Sequence, residues 1–228
     1  MNAPRPDPHA VRLRPAALLL GAVLLLSCAG RPPRLVPPAG GVEAVEGYGS
    51  ASLRGTEAAV KGKFAFLLRR PGRGRVEAFD PFGRTTFLIF LSEDRAYFVL
   101  PAKKVYAEEA PETMLERFLG ISFLPDELLR LLSGTLTGED PGGWEVERDE
   151  AGRVSRGAKG EHAFAVREFF PGAGVPRVLE LSGPGASGRM KVLSLGFDPP
   201  VREGAFDPPP LRAYALKTWD EIMGLIDR

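Results

Sequence analysis

The sequence predicts a mainly β fold with inserted helices. In this fold an antiparallel sheet of about ten strands curves around two helices to form a hollow or helix-plugged half-barrel. Beyond Gly41, apolar residues recur at every second position. Turns rich in Gly, Pro, Asp and Ser interrupt this alternation at short intervals, as is typical of successive antiparallel strands. Between Glu112 and Gly134 the apolar residues follow helical spacing, which places both helices in the middle of the chain.

Residues 1–27 have the pattern of a lipoprotein signal peptide. A basic start with three arginines precedes the apolar run Ala16–Leu26, which is shorter than the ~20 residues that a membrane-spanning helix needs. The run ends in Leu25-Leu26-Ser27-Cys28, which has the form of a lipobox, and Cys28 is the only cysteine. We therefore expect bacterial lipoprotein processing to cleave the chain before Cys28 and to lipidate that residue. An ordinary signal peptide with an incidental cysteine is the alternative.

The composition excludes several classes of protein. Hydrophobic residues make up 44% of the chain, which excludes wholesale disorder. Residues 1–27 hold three Arg and one Asp, so 27 basic and 28 acidic residues of the full chain's 30 and 29 remain after cleavage. This near-neutral balance argues against nucleic acid as a partner. With Cys28 acylated, neither a disulfide nor a cysteine-based metal or nucleophile site is possible.

The chain divides into four predicted parts. Residues 1–27 are the signal peptide, and residues 28–41 are a lipid-anchored Pro/Gly-rich tether that could reach about 40 Å from the membrane. Residues 42–200 form the half-barrel, and residues 201–228 add a Pro-rich segment and an amphipathic C-terminal helix. Ala29 favours sorting to the periplasmic face of the outer membrane, by analogy with enterobacterial lipoproteins in which Asp at that position retains the protein in the inner membrane.

Six strands are predicted before the helices. In the second of them Phe64, Phe66 and Leu68 share one face, and Lys61 and Lys63 share the other. The fourth strand is apolar on both faces, so an apolar layer is expected on each side of the sheet there. The six predicted strands are Val42–Leu53, Val60–Arg70, Arg75–Phe79, Thr85–Leu91, Arg95–Leu100 and Val105–Glu108.

Two helices follow, at Glu112–Leu119 and from Pro125 to the residue before Gly134. The second has an apolar face too wide for a solvent-facing helix, so both should lie against the sheet. Four strands are predicted after them, joined by turns such as Glu150–Arg153 and Gly183–Gly188. They are Trp144–Arg148, His162–Phe170, Arg177–Ser182 and Arg189–Phe197.

A last helix is predicted from the segment Thr218–Glu221, which has the S/T-x-x-E form of a capping box. Trp219, Ile222, Met223 and Ile226 then follow at the spacing of one helix face. This helix either packs back on the sheet or docks a partner or the membrane surface.

No catalytic, metal or cofactor site is expected. His162 would be the only histidine left after cleavage, and it shares a strand face with Phe164 and Val166, which favours a structural role. Metal sites built on His and Cys are excluded by the number of these residues. The Gly-rich segment Gly183–Arg189 lacks the Gly-Lys-Ser/Thr ending of a phosphate loop.

The turn Asp80-Pro81-Phe82-Gly83 is unusual because it places Phe82 at its tip. Exposing a side chain of this size forgoes roughly 1.5–3 kcal/mol of burial. Phe82 therefore either folds inward under the turn or is exposed for a purpose.

These features together resemble the LolB family of outer-membrane lipoproteins, which receive lipoproteins from the periplasmic carrier LolA and insert them into the membrane. The resemblance rests on the lipobox, the early strands, the turn Asp80–Gly83 and the helix segment Leu124–Gly134. It covers about Gly47 to Phe197. Val201–Arg228 extends beyond the point where the family usually ends.

The resemblance implies a half-barrel of about 11 strands, with the helices as a lid over an apolar cavity that holds acyl chains. It also implies that Phe82 projects outward and helps to place cargo in the membrane. The expected partners are a lipoprotein or lipid ligand, a LolA-type carrier and the membrane, to which the N-terminal lipid attaches the chain. The protein is expected to be a monomer. The candidate cavity residues are Phe64, Phe66, Phe87, Ile89, Phe98, Val178 and Met190, and the candidate lid residues are Leu115, Phe118, Leu128 and Leu132.

A second hypothesis is a structural or protein-interaction lipoprotein with the same fold. Its cavity would be filled by its own side chains, and it would act through the last helix. A long apolar pocket favours the first hypothesis, and a solid interior favours the second.

Overall fold

The computed structural model describes residues 35–54, 59–139 and 142–226. The predicted signal peptide and Cys28 lie outside the described residues, as does the first half of the predicted tether.

The described residues form a 12-stranded sheet in the order β12-β6-β5-β4-β3-β2-β1-β11-β10-β9-β8-β7. Strands β1 to β11 pair antiparallel, and the short β12 runs parallel to β6 and covers its edge. The predicted curved antiparallel half-barrel is thereby confirmed. The strands are β1 Ala44–Arg54, β2 Ala59–Arg69, β3 Arg73–Phe79, β4 Thr85–Leu91, β5 Ala96–Leu100, β6 Val105–Glu109, β7 Glu145–Arg148, β8 Val154–Lys159, β9 His162–Phe169, β10 Pro176–Gly183, β11 Ala186–Phe197 and β12 Ala215–Leu216.

Two of these strands were not predicted. Strand β8 does not show alternation because its inward position, Gly157, has no side chain. A Cβ there would fall 2.3 Å from the Phe164 ring, which occupies the space instead. Strand β12 has two residues, too few to show any period.

Three helices pack on the sheet in the described part of the chain: α1 Pro111–Leu119, α2 Pro125–Ser133 and α3 Trp219–Ile226. Helix α2 lies against β1, β2, β3 and β10, while α1 contacts β5 and α3 contacts β6. Gly120 and Gly134 end the first two helices in the left-handed conformation, with φ of 72° and 76°. These stops are the ones that the sequence predicts.

The core lies between the concave face of the sheet and helices α1 and α2. Met114, Leu115, Leu129, Leu131 and Leu132 of the two helices are all buried against it. Strand β4 has buried side chains on both faces. Ile89 is buried in this core. Phe90 is buried on the other face, where the Arg75 guanidinium carbon lies 5.6 Å from the centroid of the Phe90 ring.

Glycines in β1 make room for aromatic rings of β2. Gly47 pairs with Phe66 and Gly49 pairs with Phe64, so each ring lies across a position without a side chain. A Cβ at Gly47 would fall 2.4 Å from Phe66 Cζ and 2.8 Å from the Ser194 carbonyl oxygen. Because the Ser194 carbonyl oxygen belongs to the backbone, a side-chain rotation cannot relieve this contact.

We therefore expect Gly47→Ala to lower the free energy of unfolding by about 1–3 kcal/mol, because it overpacks the core. Urea denaturation of the full chain measures this. Gly62→Ala is the matched control, since the nearest atom to its Cβ is the Phe79 carbonyl oxygen at an ordinary 3.5 Å. Equal stability of the two variants would contradict the packing described for Phe66.

Candidate functional site

The β3–β4 turn holds Phe82 out in solvent. Asp80 Oδ1 accepts hydrogen bonds from the backbone N–H groups of Phe82 at 2.8 Å and Arg84 at 2.9 Å. Gly83 takes the left-handed conformation at φ 80°, which closes the turn. Phe82 is 85% exposed. The alternative in which Phe82 folds under the turn is therefore wrong.

Charges also support this turn. The Arg84 Nε lies 2.7 Å from Asp80 Oδ2, and the Arg84 guanidinium carbon lies 5.5 Å from the Phe82 ring centroid. The hydrogen bond from the Arg84 backbone N–H, together with its side chain, lowers the pKa of Asp80. Asp80 therefore stays ionised and keeps its hydrogen bonds to the turn at neutral pH.

An apolar cavity of about 630 Å³ opens beside this turn, with Asp80 and Arg84 on its rim. Aromatic side chains from four elements build its walls. Phe87 of β4 stacks on Phe98 of β5 at 4.9 Å between centroids, and Phe118 of α1 meets Phe87 edge-on at 5.4 Å. Trp219 of α3 meets Phe98 edge-on at 5.2 Å.

Helix α3 forms one wall of this cavity. Trp219 and Ile222 are buried, so the helix packs back on the sheet, which was one of its two predicted positions. The predicted capping box is present, since the Thr218 N–H donates to Glu221 Oε2 at 2.9 Å and the Glu221 N–H donates to Thr218 Oγ1 at 3.4 Å. Met223, together with Leu225 and Ile226, lines the cavity. The apolar spacing of the helix was the signal that could have identified this wall.

The space beneath α1 and α2, where the resemblance to the LolB family implies a cavity, is almost filled. Its volume is about 20 Å³, enough for about one water molecule. The physical reason is that aromatic rings from β2 and leucines from the helices meet across the sheet. The sequence-predicted residues that surround this space are Phe64, Phe66, Met190, Leu115, Phe118, Leu128 and Leu132.

The structure thus divides the candidate cavity residues. Phe87 and Phe98, with the lid residue Phe118, line the large cavity. Ile89 is fully buried in the core and lines neither space. Val178 has to be reassigned to the opposite face of the sheet. It pairs with Lys191, whereas its neighbour Leu179 pairs with the core residue Met190.

Polar contacts attach the lid helices to the β8–β9 hairpin. Lys159 Nζ lies 3.2 Å from Glu112 Oε1 and 4.0 Å from Glu127 Oε2. Glu127, which is almost fully buried, accepts the Leu124 N–H at 2.7 Å and so caps α2. His162 Nδ1 accepts the Ser122 N–H at 3.4 Å, which gives this histidine a structural contact.

The β2–β3 turn also contacts the lid, at the first turn of α2. Asp126 Oδ1 accepts the Gly72 N–H at 2.8 Å, and Arg70 Nε lies 3.8 Å from Asp126 Oδ2. The first turn of α2 is therefore joined to one side of the sheet, and Lys159 joins both helices to the other side.

Acid is expected to loosen this lid. The Ser122 hydroxyl donates to Glu112 and, with Lys159, lowers the pKa of that carboxyl. Because the folded pKa lies below the unfolded value of about 4.3, the stabilisation is complete above that pH and is lost as pH falls through the folded value. Hydrogen exchange of residues 111–133 in the full chain should show decreasing protection over that range.

Glu112→Gln should remove this pH dependence and lower the protection already at neutral pH. Asp149→Asn is the control, since the pKa of Asp149 is also lowered, by Arg153, but in the turn between β7 and β8. A lid whose protection follows the same pH curve with and without the Glu112 carboxylate would contradict this assignment.

Metal-binding clusters and membrane-spanning helices are both absent from the described residues. Among the described residues, no three His, Cys, Asp or Glu side chains are grouped so that they could hold a metal ion. Within the same ranges, no helix has the length and apolar character to cross a bilayer. The cavity beside Phe82 combines aromatic walls with an exposed phenylalanine at its edge, and these features make it the candidate functional site.

No protein-family model and no curated protein matches this chain. Solved structures that match include a domain named for outer membrane lipoprotein sorting from Vibrio parahaemolyticus, with 14% identity and a TM-score of 0.48 over 72% of this chain and 89% of that one. A LolA superfamily protein from Nitrosomonas europaea matches with 8% identity and a TM-score of 0.48, over 76% and 93% of the two chains. A DUF1329 family protein from Desulfovibrio piger has 11% identity and a TM-score of 0.47, over 73% and 90%.

Proposed function

We propose that this chain is a lipid-anchored carrier that takes up the acyl chain of a lipoprotein or another lipidated ligand and passes it into the outer membrane. The observation that carries the proposal is the position of the cavity. About 630 Å³ of aromatic-walled space opens beside a phenylalanine that is 85% exposed. A ligand that leaves this mouth would meet a membrane into which Phe82 is inserted.

The size and walls of the cavity suit one acyl chain. Pockets that bury a small ligand have volumes of about 300–1,000 Å³. Burial contributes about 0.8 kcal/mol per methylene, so the aromatic walls can hold a chain without a polar contact along its length. A lipid bilayer offers the chain the same kind of burial, which makes release into the membrane possible. The activity needs no catalytic group and no cofactor.

The N-terminal predictions complete the proposal. A lipidated Cys28 would anchor the chain at the periplasmic face of the outer membrane, and residues 28–41 would allow the body to move about 40 Å from it. A LolA-type carrier would then be the donor. This is the role of the LolB family, which the sequence resembles at the turn Asp80–Gly83 and the helix segment Leu124–Gly134.

A second candidate function is favoured by the filled interior under α1 and α2, where only about 20 Å³ is free. A structural or protein-interaction lipoprotein would need no more space than this. The two candidates differ in the use of the cavity lined by Phe87, Phe98 and Trp219, because an interaction protein would leave it without an acyl chain.

Transfer between vesicles tests the proposal. The full chain is added to donor vesicles that carry a fluorescent diacylated lipopeptide, and the appearance of the lipopeptide in acceptor vesicles is followed. We expect the chain to accelerate transfer above the rate without protein. Transfer that is not accelerated by a correctly folded chain would overturn the proposal and support the second candidate.

A further inference from the structure

Several cationic side chains line the cavity beside Phe82. Among the described residues that line it, four are cationic and Asp80 is the only carboxylate. The four cationic residues are Lys61, Arg84, Lys103 and Arg117. An uncharged acyl chain does not need these groups, so their position on the rim of an apolar cavity requires an explanation.

Two of the four cations already have partners. Arg84 Nε lies 2.7 Å from Asp80 Oδ2. Arg117 lies 3.3 Å from Glu109 Oε1, with its guanidinium carbon 5.3 Å from the Trp219 ring centroid. These contacts hold the turn of Phe82 and helix α3 in place, so both arginines have structural roles.

The two lysines differ from the arginines. Lys61 and Lys103 are exposed and form no ion pair with any residue in the described ranges. They come from different elements, since Lys61 lies in β2 and Lys103 ends the short 3-10 helix Pro101–Lys103. Both ammonium groups are therefore available to a ligand at the mouth.

We propose that the cavity takes a single-chain amphiphile with an anionic head group, either a carboxylate or a phosphate. The tail lies among Phe87, Phe98 and Phe118, and the head group accepts charge-assisted hydrogen bonds from Lys61 and Lys103. This inference rests on the proposed function, because it requires that the cavity binds acyl chains. It adds that the protein distinguishes ligands by the charge of the head group.

The dependence on salt follows from the exposure of the lysines. Exposed charges are screened by ions at physiological strength, where the Debye length is about 8 Å. The preference for an anionic head group should therefore decrease as salt increases. Burial of the tail does not involve charge, so the affinity for an uncharged amphiphile with the same tail should not decrease.

Three amphiphiles with the same tail test the proposal: palmitate, palmitoyl lysophosphatidate and the uncharged hexadecanol. Their affinities for the full chain are measured by displacement of a fluorescent fatty alcohol at low and high salt. We expect the anionic amphiphiles to bind about tenfold more tightly than hexadecanol at low salt. The double variant Lys61→Gln/Lys103→Gln should lose this difference while its affinity for hexadecanol stays unchanged.

The matched control is Lys63→Gln/Lys104→Gln, which removes the same charge from lysines beside the first pair that do not line the cavity. It should retain the full preference. A preference for only one of the two anionic amphiphiles would support the proposal and identify the head group as carboxylate or phosphate.

Three outcomes would overturn the proposal. Equal affinity for anionic and uncharged amphiphiles would exclude selection by charge and leave acyl-chain binding intact. Failure to bind any amphiphile would reject this inference and the proposed function together. If the Lys61/Lys103 variant kept the preference and instead bound less tightly to anionic vesicles, the lysines would serve the membrane surface and not the ligand.

Discussion

Replacing Phe82 with glutamate is expected to slow the insertion of acylated cargo into vesicles by about 10- to 150-fold. Burial of a phenylalanine side chain in an apolar phase contributes about 1.5–3 kcal/mol, and each 1.4 kcal/mol corresponds to a tenfold change. Glutamate loses this contribution and adds a charge that the membrane interior disfavours. Transfer of a fluorescent lipopeptide from the loaded full chain to vesicles measures the rate.

The fold and the loaded state should not change in this variant. Phe82 is 85% exposed, so its ring contributes little buried area to the fold. The turn is held by hydrogen bonds from the backbone N–H groups of Phe82 and Arg84 to Asp80, which a different side chain at position 82 can still make. Phe82→Leu is the matched control, since it keeps an apolar side chain at the tip and should insert cargo within a few-fold of the natural rate. If Phe82→Glu inserted cargo as fast as Phe82→Leu, the turn would have no part in insertion.

Ala102→Trp is expected to weaken the binding of an acyl chain by at least 50-fold. Ala102 is an exposed residue of the 3-10 helix Pro101–Lys103 and lines the cavity, so an indole there would occupy the mouth without entering the core. Each methylene that loses its burial costs about 0.8 kcal/mol, and the exclusion of three methylenes corresponds to about 50-fold. Displacement of a fluorescent fatty alcohol measures the affinity.

Lys63→Trp is the control for this substitution. It places the same indole on an exposed residue of β2 that does not line the cavity, and it should bind the acyl chain with unchanged affinity. Urea denaturation should show that both variants keep the stability of the natural chain. Unchanged affinity in Ala102→Trp would mean that the acyl chain binds elsewhere.

The order of strands and helices could be predicted from the sequence because it depends on local periodicity and on turn residues. The bounds of β4, Thr85–Leu91, agree residue for residue, and the stops at Gly120 and Gly134 follow from the left-handed conformation that ends each helix. Strand β8 shows the limit of this approach. Its inward Gly157 carries no hydrophobic signal, although the Phe164 ring that replaces it is fully part of the core.

The position of the cavity could not be predicted in the same way, because it depends on how side chains from distant segments fill space. Phe66 lies over Gly47 and Phe64 over Gly49, and both rings meet the leucines of α2, which leaves about 20 Å³ under the lid. The larger space lies at the end of the sheet, where α3 returns to β6. Periodicity identifies the faces of these elements and does not determine which of them meet.

The turn of Phe82 could be predicted from the sequence in part: its position could be predicted, and the direction of the ring could not. Asp-Pro-Phe-Gly predicts a turn from its residue types, and Gly83 takes the expected left-handed conformation. The direction of the ring depends on the hydrogen bonds that Asp80 accepts from the backbone N–H groups of Phe82 and Arg84. These bonds hold Phe82 outward.

The proposed function requires that the cavity lined by Phe87, Phe118 and Met223 holds an acyl chain. Photo-crosslinking with a palmitoyl lipopeptide that carries a diazirine near the end of its acyl chain tests this most directly. The full chain is irradiated with the lipopeptide, and the labelled residues are identified by mass spectrometry. We predict labels on the walls of this cavity, competed by unlabelled lipopeptide and lost in Ala102→Trp. Labels confined to the outer surface, or labels that no competitor removes, would contradict the claim.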